Sequence, residues 1–129
     1  MGARARWAAF LRAVRVVVRH LRYEQGVAWP QGFRLHVRCM SREESRREGF
    51  AVYQGRTLRL NRAALRLTRS DWIVLILHEV GGHHLQTIRQ ESRNRDVRDT
   101  PATLAAEERC ATLCEKKWAR AFGVRRAAR

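Results

Sequence analysis

The stretch that most constrains this chain is Asp71 to Gln90, in which the large apolar residues Trp72 to Leu77 lead directly into His78-Glu79-Val80-Gly81-Gly82-His83-His84. Such a run ending in imidazoles and a carboxylate predicts a buried helix whose far end carries polar chemistry. Many proteins hold a zinc ion beside a general base in this way. Ser70 or Asp71 is the expected N-cap.

The spacing within the motif sets a geometric demand. In H-E-x-x-H the two His lie at i and i+4, about 40° apart round a helix of 3.6 residues per turn, so both can reach one metal. Here the fourth position after His78 is Gly82, and the next imidazole, His83, falls at i+5. On a regular helix that is about 140° round, too far to converge. One inserted residue absorbed as a π-bulge, with i→i+5 bonding, returns both rings to one face. Gly81-Gly82 is the expected place, because glycine tolerates unusual dihedrals and close approach of the backbone to a ligand. In a helix that stays regular, Glu79 and His83 share a face instead, and Glu79 becomes a candidate ligand.

LILHEVGGHHLQ resembles the LxxHExGHHL active-site helix of zincin-like metallopeptidases of the gluzincin type, with one extra glycine. Compact ImmA/IrrE-type bacterial and phage forms are the nearest in appearance. The resemblance extends over the preceding GFAVYQGRTLRLN segment and, loosely, a Glu-rich helix near the C-terminus. It implies a zinc-dependent peptidase acting on a peptide or protein substrate. Carried over by motif position, His78 and His83 bind Zn²⁺, Glu79 is the general base, and a downstream Glu completes the ligand set. His84 would orient a ligand, polarise a substrate carbonyl, or replace His83 if the bulge falls elsewhere.

The remaining elements follow from periodicity and punctuation, and they predict one α+β domain over 1–129. Residues 4–23, within an N-terminal segment 1–24, read as an amphipathic helix. Trp7, Phe10 or Leu11, Val14, Val17 or Val18 and Leu21 form its apolar side, and Arg12, Arg15, Arg19 and Arg22 the other. Turns are expected at Gln25-Gly26 and Pro30-Gln31-Gly32. A small sheet is expected over 33–61. Phe33, Leu35, Val37 and Cys39 alternate with Arg34, His36 and Arg38, and Gly49 to Asn61 has the rhythm of a hairpin. Ser41 to Glu48 is a short helix or a loop, and Arg62 to Thr68 a short helix or crossover. The active-site helix occupies 71–90, and Arg89 to Asp99 is a mobile connection. Thr100-Pro101 then starts a C-terminal helix over 101–122 that stops at Gly123.

The third ligand is sought on that last helix. Its expected seam is Leu104, Glu107, Ala111, Cys114, Trp118 and Ala121, which turns Glu107 inward and leaves Glu108 about 100° further round as the reserve. A carboxylate on a buried seam is costly unless paired with a cation or bound to metal. A salt bridge to one of the many arginines is the ordinary explanation, but the two-His motif requires a third ligand and a second helix is its usual source, so Glu107 is the expected metal ligand.

Composition limits the remaining classes. A chain of 129 residues with 45% hydrophobic content is long enough for one core and is not a disordered sequence. No run approaches the ~20 apolar residues of a membrane span. Cys39, Cys110 and Cys114 are an odd number without disulfide-like spacing, which points to a reducing, cytoplasmic setting. The net charge of +15 is carried almost wholly by arginine spread along the chain. It suggests at most weak nucleic-acid contact through the basic surface. Two readings therefore stand beside the peptidase: a non-catalytic metal-binding or regulatory domain, and a basic nucleic-acid-binding protein.

Overall fold

The computed structural model describes residues 2–27, 29, 34–92 and 100–123. It is an α+β fold, mostly helical, with a small three-stranded mixed sheet. The turn expected at 30–32, the strand residue Phe33 and residues 93–99 of the connection expected over 89–99 lie outside the described residues, while 89–92 are helical instead.

Helix α1 spans Ala3–Arg19 and runs on through a π-helical turn, His20–Glu24. Its apolar side buries Phe10, Ala13, Val14, Val17 and Leu21, while Arg12, Arg15, Arg19 and Arg22 stay exposed. Strand β1 (His36–Cys39) keeps the expected alternation, with His36 and Arg38 outward. The short helix α2 (Arg42–Arg47) forms because Ser41 and Glu44 make a reciprocal capping box. Glu44 also accepts paired hydrogen bonds from Arg38, 2.9 Å each, and another from Arg59. These charges hold its carboxyl well below the usual range, with Arg38 the largest influence, then the Ser41 N–H and Arg59.

Strands β2 (Ala51–Gln54) and β3 (Thr57–Leu60) form the hairpin, joined by Gly55-Arg56. Both turn residues have positive φ, 58° and 61°. This is the type I′ turn whose twist suits a two-residue hairpin, and Arg56 accepts a conformation unfavourable to a side chain. The sheet order is β1-β3-β2, with β1 parallel and β2 antiparallel to the central β3. Asn61 locks α2 to the hairpin: its amide donates to the carbonyls of Ser45, Glu48 and Gly49 at 2.9, 3.1 and 3.2 Å.

A 3₁₀ turn (Arg62–Arg66) leads into α3, Arg69–His78. The helix starts earlier than expected. Thr68, not Ser70 or Asp71, is the N-cap, and its hydroxyl accepts the Asp71 N–H and donates to the Asp71 carboxylate. Trp72 is buried edge-on against Phe10, and its indole N–H donates to Ala64 O at 2.7 Å, so the ring enters the core without an unpaired donor. Ile73, Ile76, Leu77 and Val80 complete the centre of the core with Leu58, Leu60 and Trp118. Each such side chain contributes about 1.5–3 kcal/mol by leaving water.

Beyond His78 the helix widens into a π segment, Glu79–His84, then resumes as α4, Leu85–Ser92. Helix α5 runs Pro101–Phe122, capped by Thr100 and stopped at Gly123 with φ 81°. Its buried residues are Ala111, Glu115, Trp118 and Ala119, whereas Leu104 is 49% exposed and Ala121 is exposed. The inward stripe is therefore rotated from the expected seam, and this rotation decides which carboxylate enters the site.

Candidate metal centre

The π segment is where the one-residue insertion is absorbed. The Leu85 N–H bonds to Val80 O, an i→i+5 link, as well as to Gly82 O. The wider turn brings His78 and His83 to one face, with ring centroids 5.1 Å apart. The same glycines let α5 come close. A Cβ on Gly82 would lie 2.7 Å from both Cα and Cβ of Ala111, and one on Gly81 would lie 2.7 Å from Trp118 Cδ1. The Trp118 N–H also donates to Gly81 O at 3.3 Å. The glycines thus act twice at this site, by relaxing the helix and by admitting its neighbour.

That close approach delivers Glu108. Its Oε1 lies 2.7 Å from His78 Nε2 and its Oε2 lies 3.0 Å from His83 Nε2. One ligand atom from each of His78, His83 and Glu108 falls within 4.8 Å of the others. Bonds of about 2.0–2.1 Å in a tetrahedral zinc site place ligand atoms roughly 3.3 Å apart, so small side-chain movements suffice. Two imidazoles and a carboxylate are also the donor set of a catalytic, open zinc site. The residues present fit the ion.

Glu107, the expected third ligand, is placed elsewhere. Its side-chain oxygen accepts from Gln90 at 3.4 Å and its backbone carbonyl from Gln86 at 3.2 Å, and it lines the cleft beside His83. Glu108, one residue and about 100° further on, takes the position against the imidazoles.

Glu115 was not singled out by sequence reasoning. It is buried at 5% exposure, and its Oε1 lies 3.5 Å from His78 Nδ1, behind the ring. A carboxylate on the far nitrogen of a liganding His fixes ring orientation and raises ligand basicity. The signal for it was the series Glu108, Ala111, Glu115, Trp118, spaced three, four and three, a seam as regular as the expected one.

Glu79 is buried and turned toward the sheet, where its carboxylate accepts the backbone N–H of Tyr53. The hairpin register explains that N–H. Gln54 and Thr57 flank the two-residue turn as a hydrogen-bonded pair, so Tyr53, opposite Leu58, points its N–H away from β3 along the free edge of β2. Burial, then the charge of Glu108, pushes the Glu79 carboxyl up to about 8, against the opposing Tyr53 bond. A cation between the imidazoles and Glu108 favours its ionised form. His83 is pushed down, first by burial and then by His78, which favours the neutral, metal-binding form.

His84 has a different place from His83. It is fully buried, with Nδ1 2.6 Å from the Tyr53 hydroxyl and its ring 4.7 Å from Trp29. It ties the π segment to β2, on a side of the helix other than the one facing α5. Tyr53, bonded through its backbone to Glu79 and through its hydroxyl to His84, is a second residue sequence reasoning passed over. Beside His83 lies a cleft of about 350 Å³ between the β2 edge, α4 and α5, lined in part by Tyr53, Gln54, Gln86, Gln90 and Glu107. Among the described residues, no helix is long and apolar enough to cross a membrane.

Known protein families, characterised proteins and solved structures were all compared with this chain, and none matches it.

Proposed function

We propose that the chain is a zinc-dependent hydrolase of zincin-like character that cleaves an amide bond in a peptide or protein substrate. The observation that carries this reading is the convergence of His78, His83 and Glu108 across two helices, with the buried carboxylate of Glu79 one residue from the first ligand.

Zinc held by these side chains would act as a Lewis acid and bring the pKa of a bound water toward about 7. Glu79 takes a proton from the attacking water onto its carboxylate and returns it to the amine nitrogen of the cleaved bond, so acid and amine leave with the elements of water added. The Tyr53 N–H holds that carboxylate in place, and Glu115 holds the His78 ring from behind. The neighbouring cleft beside β2 offers an extended chain the polar side chains of Gln54, Gln86, Gln90 and Glu107.

The test is hydrolysis of a mixed, quenched-fluorescent peptide library by zinc-loaded protein. Cleavage is expected in the wild type, and a loss of about 100-fold or more in Glu79→Gln, the size of a general-base contribution. Zinc binding that survives with no cleavage of any peptide would instead support the non-catalytic metal-binding reading.

A further inference from the structure

A second site lies on elements that carry none of the zinc ligands. The first turn of α1, the end of β1 and the 3₁₀ turn border an open cavity of about 760 Å³. Four arginines line it, Arg4, Arg6, Arg62 and Arg66, together with Trp7 and Cys39, and among the described residues no carboxylate does.

Two of the guanidinium groups are fixed in place. Arg6 donates to Leu65 O at 3.1 Å, and Arg62 donates through Nε to Met40 O at 3.1 Å. The Arg62 bond uses one donor of five, leaving the rest of that fork for a ligand. Arg4 and Arg66 are exposed, and their side chains make no hydrogen bond or ion pair among the described residues. Four like charges round one opening repel within the Debye length, about 8 Å at physiological salt, and an anion relieves that repulsion. The α1 N-terminus adds to the same field. No side chain caps it, its first turn contains no acid, and Ala3 and Arg4 of that turn line the cavity. The positive end of a 17-residue helix therefore lies beside the arginine-lined cavity.

Trp7 narrows the ligand class. It stacks on Phe10 at 5.7 Å and also lines the cavity, giving the site an aromatic wall beside its cationic one. Guanidinium forks match phosphate oxygens, and indole and guanidinium planes both take up flat bases.

We propose that this cavity binds the phosphate group of a nucleotide unit, with its base against the Trp7 wall, independently of the zinc centre. The unit comes either from a free nucleotide or from a nucleic-acid strand.

Calorimetric titration tests this on the full chain, with three probes: inorganic phosphate, ADP, and an oligothymidylate of about ten nucleotides, each at about 50 and 200 mM salt. Two variants each remove two exposed arginines: Arg4→Ala/Arg66→Ala at the cavity and Arg46→Ala/Arg47→Ala on the outer face of α2. Melting curves establish that both remain folded. The cavity variant is expected to bind at least about tenfold more weakly and the outer-face variant within about twofold of wild type, since charge-assisted hydrogen bonds are lost only in the first. Tighter binding of ADP assigns the site to free nucleotides, and tighter binding of the oligonucleotide assigns it to a strand. Equal losses in the two variants overturn the proposal, because the binding is then diffuse charge. Absence of ADP and oligonucleotide binding at the lower salt overturns it as well.

Discussion

The packing of Gly82 against Ala111 gives the sharpest expectation for a single substitution. In Gly82→Ala the new methyl lies 2.7 Å from the Cα and Cβ of Ala111. Carbon atoms rest about 3.5–4.0 Å apart, so α5 must retreat by roughly 1 Å at that point. The obstacle is helix backbone rather than the tip of a flexible side chain, which places the overpacking cost near the upper end of the usual range, about 3 kcal/mol. Alanine is the better helix former by about 1 kcal/mol, which offsets part of this. The net expectation is a loss of about 2 kcal/mol, or roughly 5–10 °C in melting temperature for a domain of this size. Glu108 sits three residues before Ala111, so the same retreat draws it from His78 and His83, and zinc affinity should fall by about tenfold or more, as when a supporting residue is lost. Urea denaturation of metal-free protein and zinc titration against a competing chelator measure the two effects. Gly49→Ala is the control, since a Cβ there meets nothing within 4 Å. If Gly82→Ala matches wild type in both measurements, the close approach of α5 is not what this glycine provides.

Deleting Gly82 recreates H-E-x-x-H on a regular helix, so zinc affinity should be kept or raised. A folded deletion variant that no longer binds zinc contradicts the joint assignment of His78 and Glu79. Acid should weaken the fold partly through Glu44, whose carboxyl is depressed chiefly by Arg38. Its contribution is present above its ordinary value of about 4.5 and is lost as pH falls below it. Glu44→Gln should therefore flatten the fall in melting temperature between about pH 5 and 3, and an unchanged slope speaks against that linkage.

The centre of the site could be read from the sequence because an i+5 separation on an apolar helix permits few solutions, and two glycines supplied one of them. The approach of His78 to His83 through a widened helical turn was therefore legible in the spacing. Glu108 was not, because adjacent residues on a helix differ by about 100° and the phase was taken from Leu104, which lies near the exposed start of α5. Ala111 and Trp118 belong to both seams, so the middle of the helix could not separate them. A lone Glu115 on a charged helix looks like a surface residue until His78 is placed beside it. Tyr53 acts through its backbone N–H, whose direction is set by hairpin register rather than by residue type. In the fold, helix spans and hairpin were legible from period and punctuation, while the start of α3 was misplaced because Thr68, Ser70 and Asp71 are all good caps.

The central claim is one zinc ion held by His78, His83 and Glu108. Elemental analysis of purified protein, after zinc loading and removal of excess metal, tests it directly in the wild type, His78→Ala, Glu108→Gln and Glu107→Gln. One zinc per chain is expected in the wild type and in Glu107→Gln, with loss in His78→Ala and a clear reduction in Glu108→Gln. A wild-type protein that retains no zinc, or a His78→Ala variant that retains a full equivalent, contradicts the account.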